Sequence, residues 1–518
     1  MLTHAGMSDP DTDTAGRYRP YFEVALARGE LEPDAVMVRD RERALSVREF
    51  AGLVYRLARA LESVGLTRGD RLAILPITSP EALAVRYAAG LLGCATSFIP
   101  NRGSEQRLHA FLEHVGATAL VVFPETAEVG ATAIASGVVP SAMSLGIVPG
   151  IDVDLLAVAG SMPADPLAGR AEPHDLWALV SSGGTTGGSK ASRRSFRAYD
   201  RMVDIGPTPE RRQLVCSPLP YVSQVLADQV VLGGGVVVFR ERFDPAEVLR
   251  TIEAERITHL GLVEPGLVEL IDHPDLPRRD LSSLVAITHI GTNAPSNLRR
   301  RLLRRVGPLL AHPYGASEAG IVSMLAAPEY DLSHPELLET SGRPLPGVEV
   351  WIEHDDGSAA ALGEEGTIVV RSAAAADGYE TAPARSGFVD GGYHTGDLGL
   401  IDDRGYLHVR GRAEDARQLD RRRVMPLDVA NALCAHPQVR YAVAIPIGPL
   451  DAGFGAVVVL APGASPSALD LQSYVAEVHG HHLAPEAIAL VARVPTTEQG
   501  KPDRLAIAPL LASARVTT

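Results

Sequence analysis

Between Leu45 and Ile99, apolar residues at Phe50, Leu53, Val54, Leu57 and Leu61 follow the three-and-four spacing of one helix face. Beyond Gly69-Asp70 they close into the continuous run Leu72 to Leu75, so the pattern predicts a helix feeding a buried strand. A second helical stretch, Glu81 to Leu92, stops at Gly93, and Ala119 to Phe123 reads as a further strand. The rhythm returns between Gln213 and Val268, where Gly233-Gly234-Gly235 parts two β-branched runs and reads as a turn rather than a phosphate cradle. Helix and strand alternating in this way predict an α/β layered fold with largely parallel sheet. From Val348 to Val409 short strands separated by Asp-Gly and Gly-Glu turns predict a β-rich subdomain that runs into Gly411-Arg412. After Asp415 a small α+β segment follows, with amphipathic Leu427 to Leu433 and strand-like Tyr441 to Ile447 and Ala456 to Ala461. The expected division is a frayed polar leader at 1–20, a large domain of α/β subdomains at 21–414 and a small domain at 415–518.

Composition narrows the function without choosing it. The 518 residues, 46% apolar and 21% charged, can bury substantial cores, and they are too many for one of them. A formal net charge of −15 argues against nucleic acid or an anionic membrane as partner, so an anionic ligand must be caught locally. Cys94, Cys216 and Cys434 have no clip spacing and fit a reducing cytoplasm. No apolar run reaches the roughly 18 residues of a spanning helix.

The chemistry is concentrated in a few short segments. Ser181-Ser182-Gly183-Gly184-Thr185-Thr186-Gly187-Gly188-Ser189-Lys190 combines four glycines, which let backbone N–H groups approach an anion, with hydroxyls and one lysine. Ala191 after Lys190 breaks the Walker A register. Four more segments follow in order: Tyr314-Gly315-Ala316-Ser317-Glu318, then Tyr393-His394-Thr395-Gly396-Asp397, then Gly411-Arg412, and finally Pro495-Thr496-Thr497-Glu498-Gln499-Gly500-Lys501-Pro502-Asp503-Arg504. Taken alone, each has a plain structural explanation: a helix start at Glu318, a surface ion pair at Asp397, an exposed lysine near the end of the chain.

Together, in this order and at these separations, they resemble the adenylate-forming superfamily of acyl-CoA synthetases, peptide-synthetase adenylation domains and luciferases. That resemblance implies ATP and Mg²⁺ as cofactors and activation of an organic acid as acyl-AMP with release of pyrophosphate. It places ATP against Gly183, Gly184, Thr185, Thr186, Gly187, Lys190, Tyr314, Gly315, Ala316 and Ser317, with Tyr314 near the adenine, and gives Glu318 and Thr186 to the metal. It assigns the ribose hydroxyls to Asp397 and has Arg412 support the ribose or the phosphate. Lys501 becomes a mobile catalytic lysine, working with Glu318 and Lys190, and Asp415 a hinge about which the small domain swings. Tyr221, Val222, Ser223, Asp228, Gly291 and Asn293 are its acid-pocket candidates, Asp228 having an ordinary helix position as its other reading.

The chain also departs from the pattern. Thioester-forming relatives carry two glycines where this sequence has Asp420-Arg421, and charged side chains there would obstruct a pantetheine arm. The acceptor is therefore left between a thiol (CoA or a carrier protein) and an amine, with a nitrite-activating diazotase as a further branch and a non-catalytic adenylate-binding protein as the answer of another class. Arg299-Arg300-Arg301 with Arg304-Arg305 reads as the solvated face of a helix. His479, His481 and His482 lack the carboxylate or thiol company of a metal site.

Overall fold

The computed structural model describes residues 17–100, 104–182, 190–291, 294–381, 387–389, 391–449 and 452–514. They fall into two compact units: the described residues of Met1–Phe243 with Ala373–Arg385, and those of Asp244–Ser372 with Ser386–Thr518.

In the first unit the expected helix forms at Val47–Ser63. Ser46 accepts from the Glu49 N–H at 3.2 Å while the Glu49 carboxylate returns to the Ser46 N–H at 2.8 Å, a reciprocal cap that fixes where the helix starts. Its buried face carries Phe50, Val54, Leu57 and Leu61, as the spacing requires. The strand Arg71–Leu75 and the helix Pro80–Leu91 follow within a residue or two of expectation. Arg71–Leu75, Ala95–Phe98, Ala119–Val122, Ala142–Ser144 and Leu176–Ser182 form a parallel sheet, and Lys190–Ser195 and Gly378–Tyr379 extend one edge antiparallel. Val36–Arg39, Val236–Phe239 and Arg212–Val215 make a second parallel set, with Ala44–Ser46 antiparallel on Val36–Arg39.

Residues 17–20, expected in the frayed leader, are part of the folded unit. Residues 1–16 lie outside the described residues, but Tyr18 is buried with its hydroxyl on the Asp200 carboxylate, and Arg17 donates to the Gly169 carbonyl at 3.1 Å. An aromatic ring with a buried acceptor for its O–H holds the chain from Arg17 onward.

In the second unit His259–Leu262, Ala286–His289 and Leu310–Ala316 run parallel, followed antiparallel by Gly320–Leu325 and Arg343–Pro344. The β-rich texture becomes the antiparallel strands Val348–Glu353, Gly366–Ser372, Gly392–Ile401 and Leu407–Arg412, with Phe388–Val389 at the edge. The expected boundary at 414–415 falls inside this unit. Beyond it the chain builds a core of its own, from Val424 to Ile488, where the sheet Val439–Pro446, Phe454–Leu460 and Ala487–Leu490 packs against the helices Pro426–Cys434 and Ala468–His479. No helix of the described residues is long and apolar enough to cross a membrane.

The arginine-rich helix Ser296–Val306 corrects one expectation. Arg299 is fully buried, donating to the carbonyls of Leu338 at 3.1 Å and Thr340 at 2.9 Å, and Arg301 is half-buried; only Arg304 and Arg305 are exposed. Backbone acceptors that no local sequence pattern announces draw the two side chains inward.

Candidate nucleotide site

The strand Leu310–Ala316 turns through Ser317 and Glu318 into Gly320–Leu325, and this hairpin carries the first group of expected ligands. Gly315 is required: a Cβ there would stand 2.4 Å from the Gly320 carbonyl oxygen. Tyr314 donates to Asp397 Oδ2 at 2.6 Å, on the strand Gly392–Ile401 of another sheet. Burial first, and then the Asp397 charge, push its phenol well above the ordinary tyrosine pKa, so it stays a donor. Glu318 is buried in the turn.

Asp397 and Arg412 are directly opposite on the strands Gly392–Ile401 and Leu407–Arg412. Arg412 Nε lies 3.2 Å from Asp397 Oδ1, and its Nη1 donates to the Thr395 carbonyl at 2.7 Å. The Thr395 hydroxyl accepts from the Asp397 N–H at 3.0 Å, so the Thr-Gly-Asp triplet is braced from within. Desolvation opposes the Arg412 charge, but Asp397, then Tyr314 and further off Glu318, outweigh it and hold the guanidinium above its ordinary pKa.

Lys501 belongs to the same cluster. It sits on a tight turn in which the Thr497 N–H donates to the Lys501 carbonyl at 2.8 Å and the Gly500 N–H to the Thr497 carbonyl at 2.9 Å, closed by a bridge between Thr496 and Pro502. Its side chain crosses Gly291, where a Cβ would come within 2.7 Å of Lys501 Cε and 3.5 Å of Nζ. Gly291, expected in the acid pocket, is thus the floor under the lysine, and its φ of +94° also calls for glycine. Burial and then the Arg412 charge lower the Lys501 pKa, and no acidic side chain of the described residues helps to hold its proton. Arg412 is already paired with Asp397, so it is the Lys501 ammonium, without an acidic partner among the described residues, that is left for a polyanion. Just past Lys501, Arg504 grips both oxygens of the buried Asp415, with Nη1 2.6 Å from Oδ1, so the expected hinge is tied to the lysine-bearing segment.

Residues 183–187 and Asn293 lie outside the described residues, as do the side chains of Lys190 and Tyr221. The strand ends flanking the glycine segment are paired, Ser182 opposite Lys190. Val222 and Ser223 belong to a single π turn, Leu219–Ser223, with the Ser223 hydroxyl 2.7 Å from that of Ser217. Asp228 has no place in an acid pocket: it is fully buried, and its carboxylate takes Arg86 Nη1 at 2.7 Å and the hydroxyls of Tyr87 and Tyr199 at 2.6 Å each. It serves as the counter-ion of a core arginine, in line with its other reading as a helix residue. Val263 was not anticipated; a Cβ on Gly500 would lie 2.7 Å from its Cγ2, so the lysine turn rests on it.

Comparison with known proteins identifies the family. The family model described as AMP-binding enzyme matches residues 26–380. The medium/long-chain-fatty-acid–CoA ligase FadD8 of Mycobacterium tuberculosis is 31% identical over 487 residues, covering 89% of this chain and 84% of that ligase. Feruloyl-CoA synthase of an Amycolatopsis species is 30% identical over 495 residues, covering 92% and 96%. Among solved structures, the amide bond synthetase McbA of Marinactinospora thermotolerans superposes with a TM-score of 0.84 at 30% identity, over 95% of this chain and 99% of that one. A sequence matched over most of its length by that family model and by these relatives makes this chain a member of the AMP-binding enzyme family, and it is an adenylate-forming ligase.

Proposed function

We propose that the chain joins an organic carboxylic acid to an amine in two steps. The acid's carboxylate oxygen attacks the α-phosphorus of ATP, forming acyl-AMP and expelling pyrophosphate. The amine nitrogen then attacks the acyl carbon, losing a proton as AMP departs. The observation that carries the first step is Lys501 lying over Gly291 beside Arg412 with its charge unsupported. A preorganised cation of this kind stabilises negative charge shared between the attacking carboxylate and the leaving pyrophosphate. The glycine segment 183–187 with Lys190 would cradle the triphosphate, and the Asp397 carboxylate, which already accepts from Tyr314, would receive the ribose hydroxyls.

Mg²⁺ fits the donor chemistry: Glu318 offers a hard oxygen ligand in the turn after Tyr314, and Thr186 would be its companion. Bound there, the ion would neutralise phosphate charge. Residues 415–518 would act as a mobile domain about Asp415, presenting Lys501 for the first step and withdrawing it for the second. The cell interior is the expected setting, supported by three buried free cysteines among the described residues.

The amine is favoured over a thiol by Asp420-Arg421. They form the tip of the hairpin Arg417–Leu419 and Arg422–Val424, and both side chains are exposed. Likeness to the amide bond synthetase supports this choice, whereas likeness to the CoA ligases supports thioester formation as the second reading. Pyrophosphate release with a panel of acids, repeated with amines and with CoA, separates the two. Amide without acyl-CoA is the expected product. Lys501→Ala should lower ATP–pyrophosphate exchange by about 10²- to 10³-fold; unchanged exchange would remove the lysine from the reaction.

A further inference from the structure

The segment bearing Lys501 is fastened to the rest of its unit along a polar seam. The Ser296 N–H donates to Asn431 Oδ1 at 2.9 Å, the Asn297 amide donates to the Cys434 carbonyl, and Arg493 meets Glu269 at 3.0 Å. At its centre stands Asp272, which caps the helix Glu264–Ile271. Its Oδ2 accepts from Arg301 Nη2 at 2.7 Å, on the helix Ser296–Val306, and from Arg440 Nε, on the strand Val439–Pro446. The two arginines are linked again, Arg301 Nη1 donating to the Arg440 carbonyl at 2.6 Å, and Arg440 Nη2 reaches the Val268 carbonyl at 3.3 Å.

These contacts differ in weight. The Arg493 side chain is 77% exposed, so its ion pair contributes little. Asp272, Arg301 and Arg440 are all mostly covered, and the one carboxylate stands between two guanidiniums, offsetting half of their charge and screening their mutual repulsion. Without that charge the seam becomes repulsive. Arg440 belongs to a strand paired through Phe454–Leu460 to Ala487–Leu490, the strand from which the chain descends to the Lys501 turn. Fixing Arg440 therefore fixes the platform from which Lys501 reaches Gly291.

We infer that Asp272 is a positioning residue for adenylation, a carboxylate clasp that holds the C-terminal segment in the orientation with Lys501 inserted and that must open before acyl transfer. The inference rests on the proposed swing about Asp415. It is weak enough to open because each partner keeps partial access to water, which can solvate the separated charges.

Two measurements on the full chain test it. Spin or fluorescent labels at Arg304→Cys and Leu469→Cys, both exposed, report the distance across the seam, while the three native cysteines are buried and unlabelled. Asp272→Asn should enlarge the population of separated conformers about tenfold, whereas Asp272→Glu, which keeps the charge, should restore the wild-type distribution. In parallel, Asp272→Asn should reduce ATP–pyrophosphate exchange about tenfold at unchanged KM for ATP, while acyl transfer from supplied acyl-AMP holds steady or rises. An unaltered distance distribution, or an equal fall in both half-reactions, overturns the inference. If no acid supports exchange in the wild-type chain, the ligase chemistry proposed above fails, and the distance measurement still judges the clasp by itself.

Discussion

Asp228 and Asp272 each neutralise an arginine, in opposite surroundings. Asp228 and Arg86 have side chains 0% and 1% exposed; phenols from Tyr87 and Tyr199 take up the remaining carboxylate sites, and Arg86 lies 4.5 Å above the Trp177 ring. Asp272, Arg301 and Arg440 are 19%, 29% and 26% exposed and lie on elements far apart in the chain. Sealing a pair makes it permanent, because separating the charges would strand both in a medium that cannot solvate them. Leaving a pair at the edge of water makes it reversible. Asp228 therefore belongs to the sealed core, and Asp272 to the seam that the proposed swing about Asp415 would have to open.

The largest effect should come from breaking the sealed pair. Asp228→Ala leaves the Arg86 guanidinium without its counter-ion in the aromatic core and should destabilise the first unit by about 3–5 kcal/mol, read as a lower urea midpoint for the loss of tryptophan fluorescence from buried Trp177. Replacing Asp228 and Arg86 together by apolar residues should recover most of that loss. A single substitution costing under about 1 kcal/mol would mean that water reaches the pair, and the contrast with Asp272 would fail.

Second in size is Gly291→Ala, which acts on a cation with no scaffold partner. The added methyl would meet the Lys501 stem and impose an unfavourable φ, displacing the ammonium. Misplacement on the ångström scale is expected to lower ATP–pyrophosphate exchange by about 10²-fold while transfer from supplied acyl-AMP is spared. Equal losses in the two steps would show that Gly291 serves the fold and not the lysine.

How far the sequence foretold these places depended on distance along the chain. The helix face of Phe50, Val54, Leu57 and Leu61 was legible in its own spacing, whereas the Ser46–Glu49 cap and the Thr395 brace on Asp397 are local features that the structure adds. The clustering of Tyr314, Asp397, Arg412 and Lys501 was legible only through their resemblance to a known family, since nothing local brings Lys501 back to Gly291. Asp228 was offered as a substrate ligand because its partners Arg86 and Tyr87 lie 142 and 141 residues earlier. Arg299 and Arg301 looked solvated because the carbonyls and the carboxylate that draw them inward come from later and earlier segments. Periodicity reports which face of an element is apolar; it cannot report which distant acceptor a polar side chain will find.

Lys501 gives the comparison a pH axis. Burial and the Arg412 charge lower its pKa in the folded chain, so on the alkaline side the folded state gives up this proton before the unfolded state does. Where the unfolded chain binds more protons, stability rises with pH. The penalty of keeping Lys501 charged is thus fully present below its folded pKa and disappears as the pH climbs from there towards the ordinary lysine value. Lys501→Met should be the more stable protein near neutrality, with its advantage in urea midpoint shrinking through that alkaline window. Saturating ATP should reverse the order, because the triphosphate supplies the missing counter-charge. An advantage independent of pH would assign it to packing.

The smallest effect is expected at Asp420-Arg421, where strain rather than charge is stored. Their φ values are +49° and +60°, the left-handed pair of a two-residue hairpin turn for which glycine is favoured. The chain keeps the turn without the glycines, and a non-glycine residue in this region costs roughly 1–2 kcal/mol. Asp420→Gly with Arg421→Gly would relieve that strain, and the greater freedom of glycine in the unfolded chain would return part of the gain, about 0.5–1 kcal/mol per residue. The net expectation is a rise of about 1 kcal/mol in the stability of the C-terminal segment, seen as slower amide exchange in Arg417–Val424. Had the two residues simply drifted into a turn that suits them, the glycines would loosen it and exchange would quicken. The same variant tests the acceptor, since side chains retained at such a cost should serve a purpose: with the tip cleared, CoA should become a measurable substrate, and continued indifference to CoA would mean that something other than this turn excludes the thiol.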